Sequence, residues 1–124
     1  MRKINKEFSE AFKSLCLRAR TSPQCLEAKT YKKKQDRRLF LELGQDGTFN
    51  IVLSYHNNIV ATFVAGDNTL VLDSQGHGTS PSTKELLNSL CPQGYGYFSR
   101  NFEGCVQTPE GYRFSDLLVI KPYI

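Results

Sequence analysis

The fold is decided by the stretch TFNIVLSYHNNIVATFVAGDNTLVLDS, which runs from Thr48 to Ser74. Three short runs rich in β-branched and aromatic residues are separated here by two turn segments, Asn57-Asn58 and Gly66-Asp67-Asn68. Asn tolerates a positive φ and Gly adopts it freely, so both segments favour tight reversals of the chain. The pattern predicts an antiparallel meander in which neighbouring strands pair directly. A further short strand, RLFLEL, precedes it and ends in a Gly/Asp turn.

The residues before the meander predict two helices. In the first, which should end near Arg20, six apolar residues recur at intervals of three and four and form one apolar stripe. The stripe consists of Ile4, Phe8, Ala11, Phe12, Leu15 and Ala19. Ser22 is a candidate cap for a second helix, PQCLEAKTYKKKQDRR, with Pro23 in its first turn. The end of that segment, KKKQDRR, has no apolar face, which is typical of a solvated helix end or a flexible arm.

The residues after the meander predict one more helix and more strands. The segment SQGHGTSP cannot continue a strand because two glycines and a proline interrupt it. Ser82 and Glu85 form a capping-box pattern for a helix that should end at Cys91, before Pro92. The remaining residues predict two or three strands, with turns at Glu103-Gly104 and in TPEG. The aromatic residues expected in the interior are Phe63, Phe98 and Phe114.

Together these elements predict an α+β fold with a helical N-terminus, an antiparallel β-meander, one short helix and a C-terminal β-hairpin. A chain of 124 residues is long enough for one modest core. Composition changes from basic and polar to apolar near residue 38. The sequence therefore predicts a basic helical segment over 1–38 and a compact antiparallel-sheet domain over 39–124.

Charge is divided unevenly between these two parts. Residues 1–38 contain 12 of the 16 Lys and Arg and 4 of the 12 Asp and Glu, a net charge of +8, whereas residues 39–124 carry −4. A cluster of cations can neutralise phosphates and release counterions, so it predicts salt-sensitive contact with nucleic acid. On a helix, Lys29, Lys33 and Arg37 would share one face. The alternatives are a solvated surface or intramolecular attraction to the acidic part of the chain. The candidate nucleic-acid-binding residues are Lys29, Lys32, Lys33, Lys34, Arg37 and Arg38.

The start of the later helix is a candidate anion site, because a helix N-terminus presents free N–H groups and a partial positive charge. The candidate anion-binding residues are His77, Thr79, Ser82, Thr83 and Lys84. The simpler interpretation is a capped joint between strand and helix. Asp73, His77 and Ser80 lie too close in sequence to form a catalytic triad. His77-Gly78-Thr79 is a single H-x-T motif without a second copy, so no catalytic residue is expected and the chain is not predicted to be an enzyme.

No cofactor or metal site is expected. The four cysteines, Cys16, Cys25, Cys91 and Cys105, match no zinc spacing and are predicted to be free thiols. No apolar run approaches the roughly 20 residues that a membrane helix needs, and the N-terminus lacks the apolar segment of a signal peptide. The sequence therefore predicts a cytoplasmic protein with no membrane contact.

The segment from Tyr55 to Asn88 resembles a group of small phage-encoded proteins of unknown function. The matching positions are Tyr55, His56, Asn57, Leu72, Ser74, Gly76, Thr79, Thr83, Lys84 and Asn88. The resemblance covers about a quarter of the chain. It implies a virus-encoded protein that acts in a bacterial cytoplasm, as a host-takeover or counter-defence factor that works by binding.

Three hypotheses for function follow. The first is a non-enzymatic protein whose basic N-terminal segment binds nucleic acid. The second is an inhibitor that binds a host or defence protein, in which the helix carrying Ile4, Phe8, Phe12 and Leu15 enters a groove or forms a homo-oligomer. The third is a phosphate- or nucleotide-binding protein centred on His77–Lys84.

Overall fold

The computed structural model describes residues 1–122, which form an α+β fold of two helices and nine strands, and the predicted fold class is confirmed. The helices are α1 (Lys3–Thr21) and α2 (Pro81–Leu90). The strands are β1 (Thr30–Lys34), β2 (Arg37–Leu43), β3 (Phe49–Tyr55), β4 (Asn58–Val64), β5 (Thr69–Asp73), β6 (Gly96–Arg100), β7 (Glu103–Thr108), β8 (Gly111–Phe114) and β9 (Leu117–Ile120).

Six strands form the main sheet in the order β1-β2-β3-β4-β5-β9, and every neighbouring pair is antiparallel. The predicted meander is present from β2 to β5, and β9 returns to pair with β5 at the far edge. The turn between β3 and β4 is His56-Asn57, one residue earlier than predicted. Both of its residues have positive φ, at 50° and 64°, as tight hairpin turns require.

The core lies between α1, α2 and one face of the main sheet. The predicted helix α1 is confirmed, and its apolar stripe is buried through Phe8, Phe12 and Leu15. Alternate strand residues such as Leu39 and Leu53 face the same core, as the period of two requires. The intervening residues of β2, Arg38, Phe40 and Glu42, point to the opposite sheet face.

The prediction of a second helix after Ser22 is wrong. Only Pro23–Cys25 forms a single 3-10 turn, and no side chain caps it. The basic residues instead form a β-hairpin in which β1 pairs with β2 through a turn at Gln35-Asp36. Pairing with β2, itself fixed against β3, imposes the extended conformation on a lysine-rich segment with no apolar helical face. The boundary predicted between residues 38 and 39 falls inside β2.

Helix α2 ends at Leu90, one residue before the predicted end at Cys91, and it begins two residues earlier than the capping-box pattern indicates. Its cap is Ser80, whose Oγ accepts a hydrogen bond from the Thr83 N–H at 3.4 Å. Pro81 occupies the first helical position, where its missing N–H costs nothing. Ser82 therefore lies within the first turn and its hydroxyl is free for contacts outside the helix.

Three strands form a second sheet in the order β6-β7-β8. Its first turn is Asn101-Phe102, so the turn predicted at Glu103-Gly104 is wrong by two residues, whereas the TPEG turn is confirmed. Gly104 packs directly on Gly78, since a Cβ on either glycine would lie 3.0 Å from the Cα of the other. That close approach holds the second sheet against the loop before α2.

The three aromatic residues predicted to lie in the interior differ in burial. Phe63 is fully buried, whereas Phe98 is half-buried and Phe114 is 50% exposed. Phe98 and Phe114 lie on the outer face of the second sheet, where Tyr112 contacts both rings edge to face. The buried aromatic of β6 is instead Tyr97, whose hydroxyl donates to the Asp116 carbonyl at 2.9 Å.

Within residues 1–122, neither helix combines the length and the apolar character needed to span a bilayer. Over the same residues, no three His, Cys, Asp or Glu side chains come together as metal ligands. All four cysteines are free thiols. Burial raises the pKa of Cys91 to about 12 and that of Cys16 still further.

Candidate nucleic-acid interface

The basic cluster lies on the β1–β2 hairpin at one edge of the main sheet. Its register places Lys33 opposite Arg38 and Lys34 opposite Arg37, so the four cations meet across two paired strands. Successive strand residues point to opposite faces. Lys33 and Arg38 therefore share the outer face, whereas Arg37 points towards α1.

These four cations line one groove of about 810 Å³. The groove follows the hairpin and reaches the β3–β4 turn. Its remaining lining residues supply a carboxylate, amide and hydroxyl groups, and an apolar floor: Gln35, Asp36, Phe40, Ser54, Asn57 and Ile59. Asp36, the single carboxylate that the described residues place in the lining, lies 3.5 Å from the His56 imidazole. The groove is therefore positive, and its lining also includes one aromatic and one aliphatic side chain, Phe40 and Ile59.

Lys33 and Lys34 are the freest cations in the groove. Both are exposed, and neither forms an ion pair within residues 1–122. Arg38 is also exposed, but its Nε donates to the Thr30 hydroxyl at 2.9 Å. The Arg38 guanidinium lies 4.2 Å from the centre of the Phe40 ring. Stacking on an aromatic ring leaves most guanidinium N–H groups directed outward, where they can contact an anion.

Arg37 behaves differently, because it is 5% exposed and held by neutral partners. Its Nε donates to Asn5 Oδ1 at 3.0 Å, and its two terminal nitrogens donate to the Gln35 carbonyl and to Ser82 Oγ. The guanidinium also lies 4.3 Å from the centre of the Tyr55 ring. Arg37 therefore lines the groove without supplying an exposed donor to it, because its guanidinium points towards α1.

The hydrogen-bond network around the buried Arg37 side chain continues through Asn5 to the carboxylate of Glu85. Asn5 Nδ2 donates to Glu85 Oε1 at 2.9 Å, and the Arg2 backbone N–H donates to the same oxygen at 2.7 Å. These two hydrogen bonds, the Asn5 bond foremost, lower the pKa of Glu85. Asn5 therefore links the Arg37 cation to the Glu85 anion, which compensates the buried charge without a direct ion pair.

Lys29 and Lys32, the other two predicted binding residues, lie outside the groove. Lys32 Nζ lies 3.8 Å from Glu7 and extends over the Phe8 ring, so it covers α1. Lys29 Nζ lies 3.6 Å from Glu27 and next to the Tyr31 ring. The shared helical face predicted for Lys29, Lys33 and Arg37 is wrong, because the segment forms strands.

The structure disperses the five predicted anion-binding residues. His77 and Thr83 line one cavity, and Thr79 lines another beside Ser99 and Phe102. Ser82 bonds to Arg37, and its Oγ lies 3.1 Å from the Tyr55 hydroxyl. Lys84 Nζ lies 2.6 Å from the Ser99 hydroxyl. Only His77 and Thr83 are brought together.

Sequence reasoning missed the groove residues that lie outside the basic cluster, namely Phe40, Ser54, Asn57 and Ile59. Ser54 and Ile59 are paired across the β3–β4 hairpin, and Ser54 is also paired with Arg38. Alternation along the strands could have indicated this set once β2 was placed next to β3. No protein-family model, curated protein or solved structure matches the chain.

Proposed function

We propose that this protein is a non-enzymatic nucleic-acid-binding protein that holds the phosphate backbone in the groove on its β1–β2 hairpin. One observation carries the proposal: Lys33, Lys34, Arg37 and Arg38 line a single groove in which Asp36 is the only carboxylate contributed by residues 1–122. Lys and Arg that neutralise phosphates release counterions, and this sequence-independent term supplies most non-specific affinity.

The chemistry of the groove matches that of a nucleotide chain. Lys33, Lys34 and Arg38 are exposed donors for phosphate oxygens. Phe40 and Ile59 supply the apolar surface on which a base or sugar can pack, and Ser54 and Asn57 supply polar partners. Grooves that combine cations with aromatic side chains bind nucleic acid with little sequence preference.

The test is a fluorescence-anisotropy titration with short single- and double-stranded DNA and RNA at about 50 and 200 mM salt. Affinity should fall steeply between these concentrations. The variant K33Q/K34Q should bind more weakly to every sequence, and the slope of log affinity against log salt should fall by about two.

The variant K29Q/K32Q is the matched control, because it removes the same charge from lysines that lie outside the groove and pair with Glu27 and Glu7. Its affinity and salt slope should stay close to those of the parent protein. Equal losses in the two variants would show that net charge rather than the groove drives binding. An absence of binding at both salt concentrations would refute the proposal.

A protein-binding role has one observation in its favour. The outer face of the second sheet exposes Tyr112 and Phe114 to about half their full extent, and the Arg100 guanidinium lies 5.3 Å from the Tyr112 ring. Tyr, Phe and Arg are enriched at protein interfaces. The predicted use of α1 is not supported, because its apolar stripe is buried in the core. A partner captured by the parent protein and by K33Q/K34Q, but not by Y112S/F114S, would favour this second role as an inhibitor.

The resemblance of Tyr55–Asn88 to small phage-encoded proteins suggests the cell in which either role would be carried out. We propose that the protein acts by binding in a bacterial cytoplasm, as a host-takeover or counter-defence factor. Expression of the chain in a bacterial host, with K33Q/K34Q as comparison, tests this setting through growth and phage sensitivity. An effect on either that needs the groove lysines would support it, and an absence of any effect would count against it.

A further inference from the structure

One face of the main sheet is open, because the helices and the second sheet all pack on its other face within residues 1–122. The open face carries a row of side chains from five neighbouring strands, in which each residue is the direct antiparallel partner of the next. We call this set the outer row, and it consists of Phe40, Val52, Thr62, Val71 and Val119. All five are β-branched or aromatic, and four of them are apolar.

The outer row and its neighbours form an exposed apolar surface. Val119 is 54% exposed, and Leu117, on the same side of β9, is 43% exposed. Val52, at the centre of the row, is buried by its neighbours on this face, although it does not belong to the core cluster. A contiguous apolar patch on a protein surface marks an interaction site. Rows of β-branched and aromatic side chains suit packing against a second sheet.

Four charged side chains flank the outer row, two of each sign. Arg38 of β2 and Asp73 of β5 lie on one side of the row, each two residues from a row member. Glu42 of β2 and Lys121, which follows β9, lie on the other side. Lys121 Nζ is 3.2 Å from the Thr69 hydroxyl, so its charge lies over β5. None of the four forms an ion pair with another group in residues 1–122.

This pattern of charges is complementary to itself. A two-fold axis parallel to the strands places β2 of one molecule over β5 of a second copy, since these are the second and fifth of the six strands. Arg38 then faces Asp73 of the second copy, and Glu42 faces Lys121 of the second copy. Each contact is made twice. A two-fold interface needs such self-complementarity, because both molecules present the same surface to each other.

We propose that a second copy of this chain binds the open face, so that two main sheets pack face to face in a two-fold dimer. In this arrangement the bulky Phe40 meets the smaller Val71 of the second copy, and Val52 meets Thr62 of the second copy. Sheets packed in this way lie about 10 Å apart, with their strands within about 30° of each other. The charges on both sides of the outer row fix the orientation of the two copies.

The dimer restricts access to the groove, because Arg38 and Phe40 belong to both surfaces. Lys33 and Lys34 lie on the edge strand β1, at the rim of the dimer interface. Self-association therefore competes with the binding of a nucleic-acid strand. This competition rests on the proposed function, whereas the dimer itself does not.

Sedimentation equilibrium from about 1 µM to about 1 mM protein measures the dissociation constant of the dimer. In the variant V119K this constant should rise at least about tenfold, because the interface would bury an unpaired lysine. L17K is the matched control, because Leu17 is 53% exposed on α1, away from the open face. It should dimerise like the parent protein. Both substitutions replace exposed side chains, and circular dichroism should show the same fold in both variants.

Charge reversal tests the two-fold arrangement. E42K and K121E should each raise the dissociation constant about tenfold, because each places like charges opposite each other at two symmetric contacts. The double variant E42K/K121E should restore dimerisation. E10K, at an exposed position of α1, is the control with the same change of charge as E42K, and it should have no effect. A parent that is monomeric at every concentration, equal constants for V119K and L17K, or no rescue in the double variant would overturn the proposal.

Titration with a single-stranded oligonucleotide separates this proposal from the proposed function. At a protein concentration where the parent is dimeric, V119K should bind the oligonucleotide more tightly than L17K does, although both variants carry the same added charge. Equal affinities would overturn the competition between the second copy and nucleic acid. A parent that dimerises but binds no nucleic acid would refute the proposed function alone.

Discussion

Arg37 is a buried cation whose hydrogen-bond partners are all neutral. Its planar guanidinium donates to Asn5, Gln35 and Ser82 and stacks on Tyr55, a geometry that an ammonium group cannot reproduce. We expect Arg37→Lys to lower the free energy of unfolding by about 2 kcal/mol. Chemical denaturation measures this change.

The control for that prediction is Arg38→Lys, the same substitution at the next position. Arg38 is exposed and lies over Phe40, so its replacement should change the free energy of unfolding by less than about 0.5 kcal/mol. Equal effects at the two positions would contradict the structural role assigned to Arg37.

Single residues also show where sequence reasoning succeeds and fails. Phe63 could be assigned to the interior because its strand is flanked by strands on both sides. Phe114 could not, because alternation in an edge strand does not tell which face is covered. The cap of α2 was predictable in principle, since Ser80 precedes Pro81 and proline favours the first helical position. The capping box at Ser82 was the weaker signal.

The turn of the β1–β2 hairpin holds two non-glycine residues in an unfavourable backbone conformation. Gln35 and Asp36 both have positive φ, at 49° and 62°, the geometry that two-residue turns most readily adopt with Asn and Gly. We expect Gln35→Asn to raise the free energy of unfolding by about 0.5 kcal/mol, because Asn tolerates this region better than Gln does. Its backbone carbonyl, which accepts from Arg37, is unaffected.

Gln45→Asn is the control, because Gln45 is an exposed loop residue outside the positive-φ set. Thermal denaturation of the two variants should show a higher midpoint for Q35N and no change for Q45N. A midpoint for Q35N at or below that of the parent would show that the turn carries no relievable strain.

Helices and strands in which apolar residues recur at a regular spacing were predictable, and elements without such spacing were not. The stripe of α1 and the alternation of β3 and β4 each follow from local sequence. Strand β1 has neither signal, and its turn lacks Gly and Asn, so its conformation depends on pairing with β2. The same dependence explains why the basic residues were predictable as a set, whereas their division between groove and protein surface was not.

At the scale of the whole molecule, burial makes stability sensitive to alkaline pH. It raises the pKa of Cys16 and Cys91 above their ordinary value of 9.0, and that of Tyr97 above 10.0. Above pH 9 the unfolded chain releases these protons while the folded chain retains them. The contribution of these groups to the free energy of unfolding should therefore be constant below about pH 8 and fall as pH rises beyond 9, by up to about 1.4 kcal/mol per pH unit for each thiol.

Denaturation midpoints at several pH values test this, with two cysteine variants for comparison. Cys91→Ala should make the fall in the free energy of unfolding with pH less steep, because it removes one of the thiols whose pKa is raised. Cys25→Ala should not, because Cys25 is exposed. A decline of the same steepness in all three proteins would mean that the buried thiols do not govern it.

The three consecutive lysines of β1 have a consequence for solubility. β1 is an outer strand of the main sheet, and its free edge could recruit a strand from another molecule. Mutual repulsion between the lysines of two molecules opposes that pairing. A polyanion that neutralised these charges would remove the repulsion, so saturation of the hairpin and self-association of the protein would be coupled, and turbidity would rise near charge equivalence and disappear again in excess polyanion.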